Sequence, residues 1–216
     1  HFDAERITAV ELNSTTVSLL TDVFADFTGN LARHPKVRLI NDEGRTFLSR
    51  NKEKFDLVFF VAPDSYSAMN AASSAAFVLA ESYLYTAEMI GETLDHLSED
   101  GLICMHFGEY HFPTKPNRTM RYLATARAAF AERGVDDFSK HALVATTPSL
   151  LEVSTMLLKK SPFTASERQR FLEIVAAVPG TIPRYVSNSP GADERLRSVI
   201  ELPTDRLDAW HSEYPY

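Results

Sequence analysis

Hydrophobic positions follow two rhythms along the first two thirds of the chain. Short continuous apolar runs read as buried strands, and stretches with apolar residues three and four apart read as amphipathic helices. "ITAVEL" (7–12) is the first apolar run. Ser14, Thr15 and Thr16 follow with oxygens suited to capping a helix, and "VSLLTDVFADF" carries apolar residues at helical spacing. A proline turn in "HPKVRLI" leads to a second strand at 37–40, "NDEG" reads as a turn, and "RTFLSR" as a short helix. "KFDLVFFVA" (54–62) is the most apolar run, as expected for the middle of a parallel sheet.

The same alternation continues downstream. A loop and helical stretch covers 63–80. "YLYTAEMIGETLDHL" (83–97) is an amphipathic helix stopped by "EDG", and "LICMHF" (102–107) is the next strand. Residues 117–134 form a helix closed by Gly134. "HALVATT" and "EVSTMLLKK" are two strands joined by "TPSLL", which is too short for a parallel crossover and therefore predicts an antiparallel pair. After Pro162 the pattern becomes helical: Thr164 as N-cap with Glu167 three residues on makes a capping box. The tail from Pro179 is proline-spaced and partly helical.

Strands separated by helices predict an α/β fold, a mostly parallel twisted sheet with helices on both faces and an antiparallel strand pair near the end. The expected organisation is one α/β domain over 1–160 and a C-terminal helical extension, 161–216, packed on the same domain. A length of 216 residues suits this.

Composition narrows the function classes. Hydrophobic residues make up 44% and charged residues 24%, as in ordinary globular proteins. A net charge of −7 supplies no basic footprint for nucleic acid or an anionic membrane. The one cysteine, Cys104, sits in an apolar run and excludes a disulfide framework or a thiolate zinc site. No apolar stretch approaches the ~18 residues needed to span a bilayer, and "HFDAERITAV" has acids where a signal peptide needs a basic and then an apolar run.

In a doubly wound sheet, ligands bind outside the carboxyl ends of the strands. The residues there are Glu11 and Asn13 after the first strand, and Asn41, Asp42, Glu43 and Gly44 after the second. Pro63, Asp64, Ser65 and Tyr66 follow the third, and His106, Glu109, Tyr110 and His111 the fourth. A carboxylate can accept both hydroxyls of a ribose, and a second acid one strand over can accept an adenine amino group. Singly, each acid reads as a solvated loop residue; together, at successive strands, they suit an adenosine-containing cofactor. Glu81 and Tyr85, beside an otherwise core-like stripe, are substrate-facing candidates, as are Ser65, Tyr66 and Tyr110. His106, Glu109 and His111 have metal-ligating atoms but neither an established zinc spacing nor a single helix face, so no metal is expected.

The order of "ITAVELN", "HPKVRLINDEGRTFL", "KFDLVFFVAPDSY" and "ESYLYTAEMIGETLDHLSEDGLI" resembles the spermidine/spermine synthase family, a branch of the Rossmann-like S-adenosylmethionine-dependent methyltransferases. The resemblance covers about residues 5–160 and is strongest to large bacterial members in which a membrane-spanning region precedes a synthase-like domain. It implies a class I methyltransferase fold from which this chain lacks the first strand and its glycine-rich loop. It also implies S-adenosylmethionine or its decarboxylated form as cofactor, and transfer of an aminopropyl or methyl group to an acceptor that the sequence does not name, a polyamine being one candidate. Glu11 matches the family acid for the ribose hydroxyls. Glu43 with Gly44 matches the acid-glycine pair at the adenine, with Asp42 as a substitute. The family's proton-accepting aspartate falls on Val61, which cannot accept a proton; only the following acid is kept, as Asp64. Asp64, Glu109 and His111 are therefore the candidate bases. The alternative is a non-catalytic nucleotide-binding or interaction module that has lost that base. The remaining expectations are a small-molecule acceptor, no nucleic acid, a second copy of the chain as a candidate partner, and a cytoplasmic setting, free or as the cytoplasmic domain of a membrane protein.

Overall fold

The computed structural model describes residues 4–61, 82–149 and 152–213. By its contacts the chain separates into two compact units, His1–Lys52 and Glu53–Tyr216.

The first unit is a βαβα run. Strands β1 (Ile7–Glu11) and β2 (Val37–Asn41) pair in parallel with Ile7 opposite Val37 and Glu11 opposite Asn41. Helix α1 (Ser14–Ser18) continues into a π-helical turn, Leu19–Val23, and then into turns, so the helix expected through Phe27 is cut short. Thr21 turns its hydroxyl back onto the Val17 carbonyl at 3.0 Å, a side-chain bond that competes with regular helix. The N-cap is Asn13 rather than Ser14, Thr15 or Thr16: its Oδ1 accepts from the backbone N–H groups of Thr15 and Thr16 at 2.9 and 3.4 Å. Helix α2 (Gly44–Arg50) follows β2 directly.

The second unit is built on a five-stranded sheet in the order β3-β4-β6-β5-β7. Its strands are β3 (Phe55–Phe60), β4 (Leu97–Glu109), β5 (Ala142–Thr147), β6 (Glu152–Lys159) and β7 (Ile182–Val186). β3 and β4 are parallel; β4 with β6, β6 with β5, and β5 with β7 are antiparallel. The short link after β5 does produce the antiparallel pair. Helices α3 (Ala87–Asp95), α4 (Asn117–Ala131), α5 (Ala165–Ala177), α6 (Glu194–Glu201) and α7 (Thr204–Glu213) complete the unit.

Alternation along the strands divides the core between two faces. Ile103, Met105 and Phe107 of β4, Val144 of β5, and Met156 and Leu158 of β6 pack with Ile90 and Leu94 of α3, Leu123 and Phe130 of α4, and Val199 of α6. The neighbouring Leu143, Val186 and Leu157 belong to a smaller cluster with Phe163, Phe171 and Leu172 on the side of α5. Helices thus cover both faces. Gly101 of β4 packs closely on β3: a Cβ there would lie 2.8 Å from the Phe55 carbonyl oxygen. The predicted capping box forms at α5, where Thr164 accepts from the Glu167 N–H at 3.2 Å and Glu167 accepts from the Thr164 N–H at 2.7 Å. The other Glu167 oxygen, Oε1, meets the Lys159 ammonium at 2.7 Å and so ties α5 to the end of β6.

Candidate functional site

The carboxyl ends of β1 and β2 lie side by side because the two strands pair in register, Glu11 against Asn41. Asn41 fixes that end: its amide donates to the carbonyls of Glu11 and Leu12 at 2.8 and 3.1 Å. Glu11 Oε1 accepts from the Asn13 N–H at 2.7 Å; among the described residues Oε2 has no hydrogen-bond partner. Asn13 directs its side-chain oxygen into α1. After β2, Asp42 Oδ1 accepts from the Glu43 N–H at 2.8 Å.

Glu43 has a structural task. It is the N-cap of α2, with Oε1 taking the Arg45 N–H at 2.8 Å and Oε2 taking the N–H and hydroxyl of Thr46 at 2.9 and 3.1 Å. A carboxylate at a helix N-terminus is favoured by the partial positive charge there. Gly44 is the first residue of that helix. The five residues singled out in this unit therefore stand together at one end of the strand pair. Two of them, Asn13 and Glu43, are engaged in caps. Glu11 and Asp42 each keep one carboxylate oxygen without a partner among the described residues. Those acceptors fit a ligand that presents hydroxyl and amino hydrogens.

In the second unit, Glu109 ends β4 and is 3% exposed. Its Oε1 accepts both the N–H and the hydroxyl of Thr119, at 2.7 and 2.9 Å, in the first turn of α4. Pro116, the N-cap of α4, makes no side-chain cap, and Glu109 supplies the missing acceptor from the strand. Burial raises the Glu109 pKa, and the two Thr119 bonds oppose that rise. Tyr110 is 64% exposed. His111 is exposed and its Nδ1 lies 2.8 Å from the Thr114 hydroxyl. Tyr85 sets its ring edge-to-face against Phe107 and Tyr122, with centroids 5.2 and 6.5 Å apart. His106 stands beside Cys104, with Nε2 3.8 Å from Sγ, and packs edge-to-face on Phe59. Burial lowers the His106 pKa and pushes the Cys104 thiol up to about 12, which suits an inert thiol. Asp64, Ser65, Tyr66 and Glu81 lie outside the described residues. Among the described residues, no three His, Cys, Asp or Glu side chains come together to hold a metal ion.

Sequence reading places Asn41 at a strand end but does not single out Thr119, Glu152, Arg184 or Arg195, although these side chains organise the strand ends. Their partners are ten or more residues away: Glu11 for Asn41, Glu109 for Thr119, Phe112 for Glu152 and Arg195, and Glu152 for Arg184. No local spacing signals such pairs.

The spermine/spermidine synthase domain matches residues 1–163, three quarters of the chain. The chain belongs to that family. A polyamine aminopropyltransferase from Buchnera aphidicola is 31% identical over 64 residues, covering 30% of this chain and 22% of that protein. The structure is similar to a probable spermidine synthase from Corynebacterium glutamicum, with a TM-score of 0.57 and 14% identity, over 91% of this chain and 61% of that one. It is also similar to human methyltransferase-like protein 13, solved in complex with SAH, with a TM-score of 0.51 and 11% identity, over 80% of this chain and 70% of that one. At such identities the solved structures speak for the α/β fold of the family and its methyltransferase-type relatives. The chain spans less than two thirds of the length of the spermidine synthases it matches. No helix among the described residues is long and apolar enough to cross a membrane.

Proposed function

We propose that this spermidine synthase-like domain binds S-adenosylmethionine or decarboxylated S-adenosylmethionine and transfers a methyl or aminopropyl group from it to a small acceptor of the polyamine class. The observation that carries the proposal is the in-register pairing of β1 with β2, which sets Glu11 and Asp42 at the same end of two parallel strands. Glu11 is the proposed ribose ligand through Oε2. Asp42 is proposed for the adenine amino group in preference to Glu43, because both Glu43 oxygens are taken up by the α2 cap. Family membership and the SAH-bound methyltransferase neighbour support the choice of ligand class.

The sulfonium of such a cofactor supplies a carbon with a good leaving group, a neutral thioether. The acceptor amine attacks that carbon with its lone pair, the carbon–sulfur bond breaks toward sulfur, and the amine nitrogen releases a proton. The protein's contribution is to hold the amine in line and close and to take the proton. Asp64, which follows β3, is the proposed base. Glu109 is proposed as a support of the strand end rather than as the base, since it is buried and holds α4. His111 and Tyr110, exposed on the loop after β4, are proposed to face the acceptor. Ser65, Tyr66, Glu81 and Tyr85 complete the proposed acceptor wall.

One observation favours a second reading. The family resemblance aligns Val61, which is 66% exposed, with the family base, and a valine there favours a nucleotide-binding module without transfer activity. Incubation with each cofactor and a panel of polyamines, followed by mass analysis of the amine, separates the two. The transferase reading expects an added methyl or aminopropyl group, and a loss of about 100-fold in rate for Asp64→Asn. Nucleotide binding with no product from any amine supports the non-catalytic module instead.

A further inference from the structure

The loop that leaves β4 is gripped by side chains of β6, β7 and α6. Phe112, fully buried, is its anchor. The Phe112 N–H donates to Glu152 Oε2 of β6 at 2.9 Å. Glu152 Oε1 accepts from the Arg184 guanidinium of β7 at 3.1 Å. Arg184 Nε donates to the Thr146 hydroxyl of β5 at 2.8 Å, and its guanidinium carbon lies 4.7 Å from the centroid of the Phe112 ring. On the other side of the same residue, Arg195 of α6 donates to the Phe112 carbonyl at 3.4 Å. Arg195 is itself aimed by Asp193, whose carboxylate takes its Nε and Nη2 at 3.1 and 2.7 Å. The Asp193 N–H in turn donates to the Arg184 carbonyl at 2.8 Å, which joins the two arginines through the backbone. The side chains of Arg184 and Glu152 are only 15% and 26% exposed, so their ion pair is shielded from solvent and is worth more than a surface pair.

We propose that Arg184 and Glu152 are positioning residues that hold the loop carrying Tyr110 and His111 in the shape that meets the acceptor. The acceptor part of this rests on the function proposed above. Two exposed side chains held next to one clamped residue are pre-organised, and a ligand that contacts them is spared the cost of ordering the loop. The clamp joins β5, β6, β7 and α6 around one loop residue, so the shape of that loop depends on all four elements.

The test uses Arg184→Met, which keeps the length and packing of the stem, and Glu152→Ala. Amide hydrogen exchange at Phe112 is expected to speed up by about tenfold or more in each variant, while the exchange of the β4–β6 ladder stays unchanged. The double variant should be little faster than either single one, because both break the same device. In calorimetric titrations of wild type and variants, 1,4-diaminobutane and spermidine should lose affinity about tenfold and the nucleotide should bind as before. Arg184→Lys should recover part of both effects. Unchanged Phe112 exchange in both single variants overturns the clamp. Faster exchange with unchanged amine affinity overturns its role toward the acceptor. A wild type that binds neither nucleotide nor amine contradicts the proposed function and the acceptor role together, and Phe112 exchange then decides the clamp alone.

Discussion

The two units hold their candidate residues by different means. In the first, Ala25 and Leu48 are the buried apolar residues among those described, and Phe27 is 90% exposed. Glu11, Asn13, Asp42 and Glu43 are placed there by backbone bonds at strand ends and helix caps. A two-stranded sheet has little independent stability, so polar caps rather than burial set this geometry. In the second unit the loop after β4 leans on a deep core and on shielded ionic contacts. A nucleotide's ribose and base present many hydrogen-bond groups, and loosely packed strand ends with spare carboxylate oxygens suit them. An acceptor amine must meet one carbon in line, and a rigid frame suits that.

The contrast is most easily broken in the core. Phe130 is 1% exposed and packs edge-to-face on Phe138 and His141. Phe130→Ala should destabilise the protein by about 3–5 kcal/mol, read as a lower urea midpoint. Glu109→Ala should remove about 1–3 kcal/mol, because the Thr119 N–H and hydroxyl are left buried without an acceptor. Asn13→Ala, which deletes the α1 cap, should have an effect of about 1 kcal/mol. Phe27→Ala, at the exposed end of the first unit, should stay within about 0.5 kcal/mol. A large effect at Phe27 with a small one at Phe130 would reverse the assignment of burial to the second unit.

The pH dependence sharpens the contrast within the second unit itself. Burial raises the Glu109 pKa. Its contribution is therefore fully present below the ordinary carboxylate value near pH 4 and is lost as pH rises through the raised folded value. Asp95 behaves oppositely. Its hydrogen bond from Arg133 lowers its pKa, so its contribution is present above about pH 4 and is lost as pH falls through the lowered value. Urea midpoints across pH should show Glu109→Gln flattening the upper window and Asp95→Asn flattening the acid limb.

Much of this arrangement is legible in sequence where the determinant is local. Thr164 and Glu167 stand three apart and form their capping box. "TPSLL" is too short to cross over, and β5 and β6 pair antiparallel. Local signals mislead where two compete: Asn13 takes the cap offered by three following hydroxyl residues. β7 escapes detection because Pro183 interrupts its pattern; it pairs with β5, and an edge strand tolerates proline. The clamp on Phe112 is invisible because its members, Glu152, Arg184 and Arg195, are gathered by the sheet from 40 to 83 residues away. The family resemblance placed Glu11 and Glu43 at neighbouring strand ends, while the cap that occupies Glu43 emerged only from the folded geometry.

The central claim is that the acids at the ends of β1 and β2 form a nucleotide site. Calorimetric titration of the protein and its Glu11→Ala variant with S-adenosylmethionine, decarboxylated S-adenosylmethionine and methylthioadenosine tests it directly. The account predicts binding of at least one of the three, weakened by about 1–3 kcal/mol in the variant; no binding by any of them, or an affinity untouched by loss of the Glu11 carboxylate, would contradict it.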